Sequence, residues 1–186
     1  MAKDISVFLV KGLNKTVVLK LATEVGLDHS LYLHLLKLIE KGETTPAMKA
    51  SWILSTVSEV NPTFASKNAT KIIKLLQSAT IGGVQRELLK TLYEIPLKND
   101  QQGQFIDISF RLLSEPKSDV GVKYYCAGIL EKAAKQFPEL KNELITLLQS
   151  QQELYTPAWQ KYTKTRIQRL TAENTRIIAL RRKKKL

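Results

Sequence analysis

The chain has 186 residues, 44% of them apolar, with eight glycines, six prolines, one cysteine and a net charge of +12. It is the size of one ordinary domain with enough apolar side chain for a core, which excludes a disordered chain and a loop-rich all-β one. The lone Cys126 excludes an intrachain disulfide and a cysteine-based zinc cluster, and suits a reducing compartment.

In chain order, the first apolar stretch runs only from Ile5 to Val10, with no small-residue cleavage site after it. That is too short for a signal peptide or a membrane span, and it predicts a soluble cytoplasmic protein with a small helix near Ile5–Lys11. A short helix over Lys15–Val25 follows. Asp28 then caps a helix over Ser30–Lys41, which Gly42 stops. At Thr45 the chain reads Thr-Pro-Ala, and the same three residues recur at Thr156, three steps of 37 further on. The intermediate steps fall on Gly82 and Asp119. All four residue types favour a helix N-cap, and each precedes a helical pattern. Pro62, Pro96 and Pro138 close the first three of these helices.

Between them lies a second set of columns. Leu35-Leu36, Ile72-Ile73 and Ser109-Phe110 stand one step apart, as do Leu38-Ile39, Leu75-Leu76 and Leu112-Leu113. Leu144-Ile145 with Leu147-Leu148 arrive two residues early. Four apolar side chains at i, i+1, i+3 and i+4 share one helix face. A single helix hairpin cannot bury such a face, so a fixed period predicts stacked hairpins. The expectation is an all-α, right-handed α-solenoid of about four to five antiparallel helix pairs within residues 1–180. Residues 1–27 form an atypical cap, 28–155 the repeats, 156–180 a terminal helix and 181–186 a basic tail. Leu75, Leu112 and Leu147 should be equivalent and buried.

The first helices resemble those of HEAT repeats, with an aliphatic-basic pair followed by small and aliphatic positions. Val122-Lys123 with Cys126, Ile129 and Leu130, preceded by Asp119, fits that pattern. Met48-Lys49 and Gln85-Arg86 are weaker copies, and Trp159-Gln160 lacks the basic residue. The resemblance spans residues 28–180 and implies a binding scaffold of the HEAT or armadillo type.

Recognisable catalytic groupings are missing from the sequence. His29 and His34 lie five apart on one helix and point about 140° away from each other, so they cannot share a metal. Cys126 falls in a small buried column. Neither a catalytic residue, a metal site nor a cofactor is expected. Cations stand out instead. Lys37, Lys74 and Arg111 recur one repeat apart on the second helices, which line the concave face of a solenoid, and Lys71 lies one turn before Lys74. Residues 151–186 carry ten basic side chains against two acidic ones. Lys161, Lys164, Arg166, Arg169 and Arg176 decorate the last helix, and the run Arg181, Arg182, Lys183, Lys184, Lys185 follows. A row of like charges has an anion as its complement, so the expected partner is an acidic protein or a nucleic acid.

The alternative is a DNA-binding repair protein similar to the helical-repeat DNA alkylation glycosylases, with Trp52 and Trp159 as aromatics and Glu59 or Asp107 as carboxylate. Yet Trp52 shares a column with Leu89 and Cys126, and Trp159 with Met48 and Val122. Both indoles are therefore expected to be buried, with no carboxylate beside either in an open cleft.

Overall fold

In the computed structural model residues 12–183 are described, with side chains described as far as residue 176. Among them are ten helices and no strand. They are α1 (Lys15–Val25), α2 (His29–Lys41), α3 (Thr44–Val60), α4 (Thr63–Lys67), α5 (Ala69–Ser78), α6 (Gly82–Tyr93), α7 (Asn99–Ser114), α8 (Val120–Gln136), α9 (Leu140–Gln151) and α10 (Pro157–Lys183). The chain is an all-α solenoid of helix hairpins, as the 37-residue period predicts. The expected helix at Ile5–Lys11 lies outside the described residues. The chain divides into two compact units between Ile108 and Ser109, a point inside α7.

In the first unit, α1 buries Val18, Leu21, Ala22 and Val25, one stripe at helical spacing. Asn14 caps it by accepting from the Val17 N–H at 3.0 Å. Asp28 caps α2, accepting from the Ser30 N–H at 2.8 Å and the Ser30 hydroxyl at 2.6 Å, and these bonds hold its carboxyl below the usual range. Helix α2 ends at Gly42, whose φ of +73° is the left-handed conformation that glycine adopts without steric cost. Helix α3 packs against α1, α2 and α6 and is covered on most sides. Its buried residues include Ala47, Ala50, Ile53, Leu54 and Val57, together with Ser51, Ser55, Thr56 and Ser58.

Helix starts differ from the capping expectation at two places. Helix α3 begins at Thr44 with Glu43 as its cap, so Thr45 is inside it. Pro46 then falls in the first turn, where its missing N–H has no intrahelical partner to lose. Ile81 caps α6, and Gly82 is the first helical residue. Thr156 does cap α10, its hydroxyl accepting from the Trp159 N–H at 3.3 Å.

In the second unit, α8 and α10 both pack on α9 or cross-bond to it. Trp159 is 0% exposed and donates its indole N–H to the Gln151 carbonyl at 3.1 Å. Around it, Tyr124 meets the indole edge-on at 5.2 Å and Tyr162 stacks at 5.6 Å. Cys126 is buried as expected, and burial pushes its thiol up to about 12. Lys123, the basic member of the best HEAT-like pair, is also 0% exposed. Its ammonium donates to the carbonyls of Leu113 and Glu115, both at 2.7 Å, and to Gln151 Oε1 at 3.1 Å. Those carbonyls belong to the end of α7, where a helix leaves its last acceptors unpaired. The lysine is thus a buried C-terminal cap.

The second-helix columns are buried in large part. Leu35, Leu36, Ile72, Ile73, Leu75, Leu76, Leu112, Leu113, Leu144 and Leu148 are all buried. Leu147 departs from the expectation, since it is half-buried and lines a groove with Phe110, Arg111 and Glu143.

Candidate functional site

The sequence puts Lys71 and Lys74 on the solvent side of α5, because the four apolar residues Ile72, Ile73, Leu75 and Leu76 claim the other side. They line an open cleft of 580 Å³ in the first unit. Its near wall is the end of α2 (Ile39, Glu40) with Gly42, and its far end is the Ala79–Ile81 connection leading into α6. Lys67, at the end of α4, lines the same cleft. Lys71 and Lys74 stand three apart on α5 and so share a face, and the turn at Asn68 brings Lys67 to the same cleft. The Lys71 ammonium lies 3.0 Å from Glu40 Oε2, with the two side chains 39% and 58% exposed. Lys67 and Lys74 carry no ion pair among the described residues.

The floor of the cleft is apolar. Ile39, Ala47, Leu75 and Val84 reach it from four helices, each nearly buried. At its far end α6 starts without a side-chain cap and with no acidic residue in its first turn. Its unpaired N–H groups add a positive end to the cleft.

The other sequence-predicted cations are placed differently. Lys37 is exposed one turn before Glu40 on α2 but lies outside the cleft lining. Arg111 is exposed in the second unit, on a groove of 430 Å³ that also holds Glu143, Ser114, Thr146 and Ser150. Arg181, Arg182 and Lys183 have their backbone in α10 and their side chains outside the described residues, and Lys184 and Lys185 lie wholly outside them. Two cations expected to decorate α10 are engaged inside the unit. Arg166 and Arg169 both pair with Glu131 of α8, and the Arg166 guanidinium lies 3.4 Å from the centre of the Tyr162 ring.

His29 packs on Phe64 with ring centres 4.9 Å apart and sits 3.3 Å from the Asn68 amide nitrogen. His34 is exposed. Among the described residues no group of three or more His, Cys, Asp or Glu could hold a metal, and no helix is long and apolar enough to cross a membrane.

Trp52 corrects one expectation. It is half-buried and lines a 440 Å³ cleft with Met48, Lys49, Gly83, Arg86 and Glu87, so a carboxylate does stand beside an indole in an open cleft. The column that buries Leu89 and Cys126 is open at Trp52, and the neighbouring Gly83 lies close against Met48. A Cβ at that position would meet the Met48 methyl at 3.0 Å. Glu87 is itself well engaged. The Ser55 hydroxyl lies 2.6 Å from Oε2, and the Arg86 guanidinium donates to Oε1 at 3.0 Å. Glu59 is exposed and paired with Lys90, and Asp107 is exposed.

A protein-family model described as a HEAT repeat domain matches residues 6–170. Comparison with curated proteins and with solved structures gives no match.

Proposed function

The chain belongs to the HEAT repeat family, and from that premise we propose that it is a non-enzymatic scaffold whose second-helix face receives an anionic macromolecule. One observation carries the reading: Lys67, Lys71 and Lys74 converge on a single open cleft in which Glu40 is the one acidic lining residue among the described residues. Solenoids offer long shaped surfaces for large partners, and like charges gathered on one such surface favour an anion. Lys37, Arg111 and the run Arg181–Lys185 are further candidate contacts in this reading. A cytoplasmic setting belongs to it too, and the single buried thiol suits one.

The test is binding of labelled duplex DNA and of labelled polyglutamate at two salt concentrations. The arms are the full chain, a chain ending at Leu180, and the triple variant Lys37→Glu, Lys74→Glu, Arg111→Glu. The full chain should bind at least one polyanion, and the triple variant should lose binding with its helicity unchanged. For the DNA arm, each phosphate contact removed should lower the log–log salt slope by about 0.9. Equal affinity in the triple variant would show these side chains to be solvent-facing only.

One observation favours a second reading, the DNA alkylation glycosylase resemblance, and that is Trp52 beside Glu87. A glycosylase needs a carboxylate and an aromatic surface around an extruded base. Glu87 has both oxygens bonded to Ser55 and Arg86, which leaves it poorly placed to serve a substrate. The expected result is no base release from alkylated duplex DNA at stoichiometric protein. Release that disappears in Glu87→Gln would promote this reading over the scaffold.

A further inference from the structure

We infer that the cleft between α2 and α5 takes an acidic, amphipathic segment of a partner protein, with an apolar side chain on its floor and carboxylates against Lys67 and Lys74. This rests on the reading above that the second-helix face binds an anion, and it names the kind of anion.

Three observations select a peptide over a phosphate backbone. First, the cleft is cationic at its rim and apolar below, where Ile39, Leu75 and Val84 form the floor. An aliphatic side chain flanked by acids would cover what these nearly buried residues still expose, which a phosphate backbone would not. Second, no aromatic ring lines the cleft among its described residues, so there is no platform on which an unpaired base could stack. Third, the fold already holds a carboxylate there, since Glu40 meets the Lys71 ammonium at 3.0 Å. Both partners are largely solvated, and exposed pairs of this kind are worth only about 0–1 kcal/mol. An incoming carboxylate can therefore displace Glu40 from Lys71 at little cost. The cleft volume of 580 Å³ lies within the range of sites that enclose a few side chains.

The experiment is fluorescence anisotropy with three labelled probes: a short peptide alternating glutamate and leucine, its analogue alternating glutamate and serine, and a duplex DNA. The wild-type chain should bind the glutamate–leucine peptide most tightly. Lys67→Glu with Lys74→Glu should weaken that binding about tenfold or more, as expected when two contacts turn from attractive to repulsive. Glu40→Gln, which removes the internal competitor, should tighten it severalfold. Circular dichroism of each variant checks that the helices persist. Equal binding of the glutamate–serine peptide would overturn the inference, because the apolar floor would then contribute nothing. So would Glu40→Gln binding more weakly than the wild type. DNA binding without peptide binding would overturn it while leaving the broader anion-binding proposal standing. Binding of none of the three would end both.

Discussion

Replacing Lys123 by methionine should destabilise the protein by about 1–3 kcal/mol, although methionine fills similar space and is better suited to a buried site. The cost comes from an acceptor left behind. Leu113 O retains the Gln151 amide as a donor at 2.8 Å and Glu115 O retains the Ser118 N–H at 3.1 Å, but Gln151 Oε1 loses the ammonium. A buried acceptor left without a donor costs about 1–3 kcal/mol. Burial holds the Lys123 ammonium below the ordinary lysine range, while the Glu115 carboxylate favours the charged form. Arginine should not rescue, because a planar fork cannot reproduce three donors converging from a compact ammonium. Urea denaturation measures the loss, and hydrogen exchange should place it in residues 109–176. A change under about 1 kcal/mol would mean that Gln151 Oε1 finds another donor and that the ammonium adds nothing to the bonds the two carbonyls keep.

Trp159→Ala should cost about 3–5 kcal/mol, the range for truncating a fully buried aromatic. The indole is 0% exposed and is boxed by Tyr124 and Tyr162, so the neighbours cannot collapse into the space without giving up their own ring contacts. Trp159→Phe separates packing from polarity. It should keep most of the packing and lose about 1 kcal/mol with the bond to Gln151 O. Thermal denaturation of the two variants checks the order. Equal losses would show that the hydrogen bond, and not the volume, dominates.

The fold was readable because repeats make the same physical demand several times. Ile72-Ile73 with Leu75-Leu76 can be satisfied only by a neighbouring hairpin, and that necessity shows as a period. The departures have local causes. Thr45 is not a cap because Pro46 is tolerated within the first turn. Trp52 is not fully covered because it borders an open cleft that Met48 and Gly83 also line. Neither fact is periodic, so a register of columns cannot contain it.

The site was legible in part. Lys71 and Lys74 were visible from the columns around them, but Lys67 sits in the short α4, outside the 37-residue register. Its placement depends on the turn at Asn68 between α4 and α5, which no helical spacing predicts. Glu40 as partner of Lys71 was not visible, because it depends on how α2 and α5 approach each other. Arg166 and Arg169 were read as surface charge, and only the position of Glu131 on α8 reveals them as bound. Lys123 marks the same limit from the other side. A lysine in sequence suggests solvent, and the carbonyls that bury it come from the end of a different helix.

The hydroxyls of α3 have a mechanical consequence. Ser51 donates to Met48 O, Thr56 to Trp52 O and Ser58 to Leu54 O, so these buried polar groups are served by their own helix. Small side chains that bond inward leave the contact with α6 to dispersion and to two cross-ties, the Ser55–Glu87 bond and the exposed Glu59–Lys90 ion pair. Relative rotation of α3 and α6 strains those two directional contacts and otherwise exchanges one close-packed arrangement for another. Within the first unit, α3 and α6 therefore act as a compliant joint, and cutting the first cross-tie with Ser55→Ala would soften it while leaving its helices whole.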